Sequence, residues 1–179
     1  MTKLEIKINP ADSTDAANIA HVYCTAWKFA YKGIFPQNFL DSINEEVWTA
    51  RFKESINLNK SQFLVAKTQG VLTGIIDVYY SAENSNSREI RCIYVHPEYI
   101  RQGIGSALFN FIIQSSAASR ISSLFLWSHP NNIHATNFYF KMGFSKVAGD
   151  RSIEIEGQNH KLVKFSREVK SKNHPFLIQ

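Results

Sequence analysis

The chain has 179 residues, 44% hydrophobic and 13% aromatic, with 20 basic against 15 acidic side chains and a formal net charge of +5. That composition suits one domain with a sizeable core (1–179, the core at about 3–168 and a tail at 169–179) and excludes a disordered chain. No apolar run reaches membrane-span length, residues 1–6 hold no signal-peptide core, and Cys24 and Cys92 lie far apart in apolar segments, so a cytoplasmic protein with buried free thiols and no membrane partner is expected.

Leu4, Ile6 and Ile8 alternate with charged residues and predict a first strand, ended by Asn9-Pro10. Asp12 to Asp15 offer caps for a helix whose apolar stripe is Ile19, Val22, Tyr23, Ala26 and Ala30. Trp27 and Tyr31 on it either cover the core or line a cleft. Gly33-Ile34-Phe35-Pro36 breaks that helix, and a second is predicted over 44–54 around Val47, Trp48 and Phe52. Residues 63–67 and 71–80 read as strands joined across Gln69-Gly70, and 81–87 as a polar loop.

Residues 90–95 are apolar and β-branched and predict a buried fourth strand, stopped by His96-Pro97. Gly103 and Gly105 then open a helix carrying Leu108, Phe109, Ile112 and Ile113 at helical spacing. A glycine-rich loop between a strand and a helix N-terminus suits an anion, because the first N–H groups of a helix have no intrahelical partner and the macrodipole is positive there. A tight turn with no ligand is the alternative. The dinucleotide reading fails: it needs a third glycine where Leu108 stands, and an acidic residue ending a second parallel strand. Residues 124–127 form a short strand, and His129-Pro130-Asn131-Asn132 turns into a helix around Ala135 to Met142 that ends at Gly143. Residues 144–155 and 160–168 read as a closing hairpin. The six histidines show no metal-ligand spacing, and no metal is expected.

The run Val95-His-Pro followed by Arg101-Gln102-Gly103-Ile104-Gly105-Ser106 resembles the pyrophosphate loop of the GNAT superfamily of CoA-dependent N-acetyltransferases. The usual loop, Arg/Gln-x-x-Gly-x-Gly/Ala, has Ile100 at its first position here, with Arg101 one place later. The segment from Asn132 through Ala135 and Tyr139 to Gly143-Phe144 is similar to a second element of the family, Asn-x-x-Ala-x-x-x-Tyr-x-x-x-Gly-Phe. The resemblance implies an α/β fold: a mixed, mainly antiparallel central sheet splayed after strand 4, with helices on both faces. It implies acetyl-CoA as co-substrate, its pyrophosphate on residues 101–106 and its pantetheine on open backbone groups of Ile93, Tyr94 and Val95. Asn132 would hold the cofactor, Tyr139 would support the leaving thiolate, and the Val95 amide would polarise the carbonyl.

An amine acceptor must lose a proton, and histone acetyltransferases of the superfamily carry a glutamate on strand 4, where this chain has Glu89. Strand alternation predicts Glu89, Arg91, Ile93 and Val95 on one face. The alternative is a strand-end charge paired with Arg88 or Arg91. Another branch carries its glutamate on the next strand, where this chain has Trp127, which accepts no proton. The acceptor, a small amine, polyamine, amino acid or protein N-terminus, is expected near Trp27, Tyr31 and Phe35. A homodimer is one state the reading admits, and no nucleic-acid partner is expected. A non-catalytic CoA-binding sensor and a nucleic-acid-binding protein are the competing classes. Tyr139 and Glu89 count against the first, and the dispersed basic residues against the second.

Overall fold

The computed structural model describes residues 5–59, 61–81, 85–119 and 121–170. The proposed tail, apart from residues 169–170, lies outside them. The elements are β1 (Ile6–Pro10), α1 (Ala16–Tyr31), α2 (Gln37–Ser42), α3 (Glu45–Asn57), β2 (Gln62–Thr68), β3 (Val71–Tyr80), β4 (Ser87–Val95), α4 (Ile104–Ala118), β5 (Ser123–Ser128), α5 (Ile133–Lys141), β6 (Ser145–Val147), β7 (Ser152–Ile155), β8 (Gln158–Lys161) and β9 (Val163–Glu168).

Seven strands form one sheet in the order β1-β2-β3-β4-β5-β9-β6, and β7 and β8 pair apart from it. Among the described strands, β4 and β5 are the one parallel pair. The mixed, mainly antiparallel sheet expected from the sequence is therefore present. Its apolar residues divide by strand alternation. Leu64, Ile76, Val78, Ile90, Leu124 and Leu126 pack with α4 and α5 on one face. Phe63, Val65 and Ile75 pack with α1 and α3 on the other. A third, smaller cluster joins Phe35 and Leu40 to Ile155 of β7.

The structure corrects several boundaries. Pro10 is inside β1, opposite Leu64, because β1 is an edge strand that tolerates a missing N–H. The short α2 went unpredicted between Pro36 and the Asn44 cap of α3. The closing hairpin is two pairings: β6 joins β9 in the main sheet, while β7 and β8 turn back on each other at Glu156-Gly157.

The sheet opens between β4 and β5. Their pairing runs from Ser87↔Ser123 to Ile90↔Leu126 and stops, although the strands continue to Val95 and Ser128. A bulge in β4 coincides with the opening: Val78 faces Ile90 and Asp77 faces Cys92, leaving Arg91 unmatched. The splay thus begins inside strand 4 at Arg91, before Pro97.

Candidate active site

The bulge overturns the predicted alternation along β4. Ile90, Ile93 and Val95 all pack toward α4, whereas Cys92 and Tyr94 pack toward α1. Glu89 faces the α1 side with Arg91, whose guanidinium lies over Tyr79, the cross-strand partner of Glu89. Glu89 therefore does not share a face with the Ile93 and Val95 side chains. Its carboxylate pairs with neither Arg88 nor Arg91. It meets Arg151, from the segment before β7, at 2.5 Å.

Backbone groups line the gap. His96 donates its N–H to the Thr73 carbonyl at 2.9 Å, which makes 73/96 a bonded pair in the β3–β4 ladder. Bonded pairs alternate in an antiparallel ladder, so Tyr94 bonds back to β3 while the N–H and C=O groups of Val95 and Ile93 point into the gap. Of the three backbone contacts expected, Ile93 and Val95 fit. Tyr94 instead contributes its ring, against Tyr23 at 5.2 Å.

At the end of β4 the chain turns through residues 96–103 into α4. Arg101 and Gly103 hold left-handed conformations, with φ of 65° and 88°, a pattern that turns successive N–H groups into one concavity. The first bond of the helix runs from the Ala107 N–H to the Gly103 carbonyl, leaving the amides of Ile104, Gly105 and Ser106 without intrahelical partners. A Cβ at Gly103 would meet no atom within 4 Å, so space beside the loop is open. Gly105 differs: a Cβ there would stand 3.1 Å from the Phe138 ring, and its lack of a side chain serves the approach of α4 to α5. The Gln102 side chain donates to the Glu98 carbonyl, so the loop offers backbone rather than that amide.

The other wall of the gap is β5 and α5. Tyr139 is buried among Phe109, Phe144 and Phe165, with its hydroxyl near Ser128 at the end of β5. Burial, reinforced by Tyr31, pushes its phenol well above the ordinary tyrosine range, so it stays protonated. Asn132 caps α5, its Oδ1 accepting the Ala135 N–H at 3.1 Å, and it lies with Tyr94 near the Tyr31 hydroxyl, whose pKa burial raises. Cys92 is a half-buried free thiol that burial and then Asp77 push up, unlike a nucleophile.

Sequence reasoning missed several partners. Tyr31, Tyr94 and Tyr139 come from three elements, and only their meeting across the gap makes them a group. His129, just past β5, meets Phe35 edge-on and lies tilted beside His160, and burial followed by His160 lowers its pKa. The Trp27, Tyr31 and Phe35 cluster does form, with ring centroids 4.4–5.5 Å apart, and Ile153 and Ile155 pack against it. Asp77, on β3 beside Cys92, is buried with one oxygen unpartnered, and desolvation raises its pKa to about 6. Among the described residues no group of three His, Cys, Asp or Glu side chains is placed to hold a metal ion, and no helix is long and apolar enough to cross a membrane.

A family model described as the acetyltransferase (GNAT) family matches residues 25–144. The chain is 27% identical over 154 residues to the spermidine N(1)-acetyltransferase of Thermoplasma acidophilum, covering 83% of this chain and 94% of that protein. It is 27% identical over 162 residues to the uncharacterized N-acetyltransferase YuaI of Bacillus subtilis, covering 85% and 87%. The fold matches the crystal structure of a PaiA N-acetyltransferase from Thermoplasma acidophilum in complex with coenzyme A, with a TM-score of 0.71 and 22% identity over 92% of this chain and 99% of that one. It also matches YncA from Salmonella typhimurium with acetyl-CoA, with a TM-score of 0.68 and 18% identity over 97% and 99%.

Proposed function

The chain belongs to the acetyltransferase (GNAT) family, and from that premise we propose that it transfers an acetyl group from acetyl-CoA to a primary amine by direct attack. One observation carries the reading: the strand whose backbone lies open at Ile93 and Val95 leads directly into a helix N-terminus with unpaired amides and clear space beside it. A linear ligand with an amide-rich arm and a pyrophosphate needs that sequence of partners.

Acetyl-CoA supplies an activated acyl group on a thiol leaving group. The amides of residues 103–106 hold its pyrophosphate, and Ile93 and Val95 hydrogen-bond its pantetheine arm and carbonyl. Tyr139, protonated and buried, gives a hydrogen bond or proton to the departing thiolate. We assign Glu89 as the base. It stands four residues before Ile93, a separation of about 13 Å along a strand, so the proton from the ammonium reaches it through a chain of waters. Asp77 lies one strand further from the gap. The acceptor enters from the α1 side, beside the Trp27, Tyr31 and Phe35 cluster. Small amines, polyamines, amino acids and protein N-termini are the candidates. The name of the Thermoplasma relative, a spermidine N(1)-acetyltransferase, keeps polyamines among them. The free thiols of Cys24 and Cys92 support a cytoplasmic setting.

The test is an acceptor screen with acetyl-CoA, following thiol release and confirming the acetylated amine by mass spectrometry. Tight acetyl-CoA binding without transfer to any amine would replace this reading with a non-catalytic sensor.

A further inference from the structure

On the α1 side of the sheet, below the gap, the register places Glu89 beside Phe125 and Trp127 beside Lys164. These side chains share one face, opposite the buried Leu124 and Leu126. Two cations sit on it around one ring. The Arg151 guanidinium lies 4.8 Å from the Trp127 centroid, and the Lys164 ammonium 5.5 Å from it and 4.5 Å from Phe125. Glu89 answers Arg151. Lys164 is in no ion pair among the described residues.

The cluster is built rather than incidental. A Cβ at Gly149 would stand 2.6 Å from Trp127 and 3.0 Å from the Lys164 stem, so only glycine lets this segment lie down on both side chains. The Trp127 Nε1–H is buried and has no partner. An indole N–H only donates, so a second ammonium cannot satisfy it, whereas a carboxylate oxygen can. Arg151 is already met by Glu89, so Lys164 is the cation of the pair whose charge is left for an incoming carboxylate.

We infer that the acceptor of this enzyme carries a carboxylate close to its amine, and that Lys164, Arg151 and the Trp127 indole bind that carboxylate. The inference rests on the proposed acetyl transfer and narrows its acceptor. The shared chemistry is an amine with a neighbouring acid, available either from a free amino acid or from a peptide N-terminus followed by an acidic residue. A polyamine is the wrong charge for the site. With the carboxylate at Lys164 and Arg151, beside Trp127, the amine is directed along β5 toward the gap, where the thioester lies.

The experiment compares matched acceptors at fixed acetyl-CoA: alanine, leucine and glutamate against their α-amides, a peptide with aspartate at its second position against the same peptide with lysine there, and spermidine. Acetyl-CoA binding is measured separately by calorimetry. The expected result is a kcat/KM at least about tenfold higher for the acid of a pair, the size of one charge-assisted hydrogen bond. In Lys164→Gln that preference falls toward unity through the acceptor KM, and in Lys164→Arg it is retained. Whichever acid arm is preferred names the source. Equal rates for acids and amides, or a preference for spermidine, would overturn the inference while leaving acetyl transfer intact. Acetyl-CoA binding with no amine acetylated would remove the transfer reading itself, and this inference with it.

Discussion

Tyr139 illustrates how a single side chain acquires a role from its surroundings. Its ring is core, packed among three phenylalanines, but its hydroxyl ends at Ser128 where the sheet has parted. Removing only that oxygen should preserve the packing and cost the reaction. Tyr139→Phe is expected to keep acetyl-CoA affinity and lower turnover about 10²–10⁴-fold, the range for a lost general acid. Unchanged single-turnover rates would return Tyr139 to packing alone. The two loop glycines separate in the same way. Gly103 has φ of 88° with open space beside it, so Gly103→Leu adds roughly 1–2 kcal/mol of backbone strain and a side chain beside the free amides. Its acetyl-CoA affinity should fall about tenfold or more. Gly105→Val should instead lower the melting temperature, because its Cβ strikes Phe138. The sequence motif presented both glycines as phosphate positions. Only contacts distinguish them, and the Phe138 contact is 33 residues away along the chain.

Among the elements, the legible ones had strong local periodicity. The β2–β3 hairpin, α1, α4 and the turn at 129–132 into α5 follow from apolar spacing and from turn and capping residues that act within a few positions. What stayed hidden depends on partners. The β4 bulge arises from a count mismatch with β3, and no residue within 90–95 announces it. Its consequence is large, since it sends Ile93 and Val95 to one face and leaves Glu89 on the other. The Arg151 partner of Glu89 was equally illegible, being 62 residues distant. The element that joins them, a splayed strand pair with a carboxylate at its root, makes a prediction of its own. Glu89→Gln should lower turnover at neutral pH and remove or shift the acidic limb of the pH–rate profile, with acetyl-CoA affinity preserved. A wild-type profile in that variant would mean that Glu89 serves only to order Arg151.

For the molecule as a whole, the α1 face of the sheet stores an electrostatic cost in a buried carboxyl group. Asp77 is buried on β3, with Arg91 and Ser61 offsetting only part of its desolvation, and its pKa rises from 3.8 to about 6. Between those values the folded protein binds more protons than the unfolded chain, so stability falls as pH rises from about 4 to 6 and is constant above. The difference of roughly two pKa units corresponds to about 3 kcal/mol at neutral pH. His129 acts oppositely. Its lowered pKa means that folded protein binds fewer protons, so its contribution is present above about 6.5 and lost as pH falls. The two overlap, and the pH profile of the wild type alone cannot separate them. Comparison with Asp77→Asn does, because His129 is common to both. The variant should be more stable in urea by up to about 3 kcal/mol at pH 7–8, with the advantage shrinking steadily toward pH 4. A difference that does not change with pH would mean that Asp77 is ionised in the fold at little cost. A variant less stable at pH 8 would mean that Arg91 and Ser61 more than offset its burial.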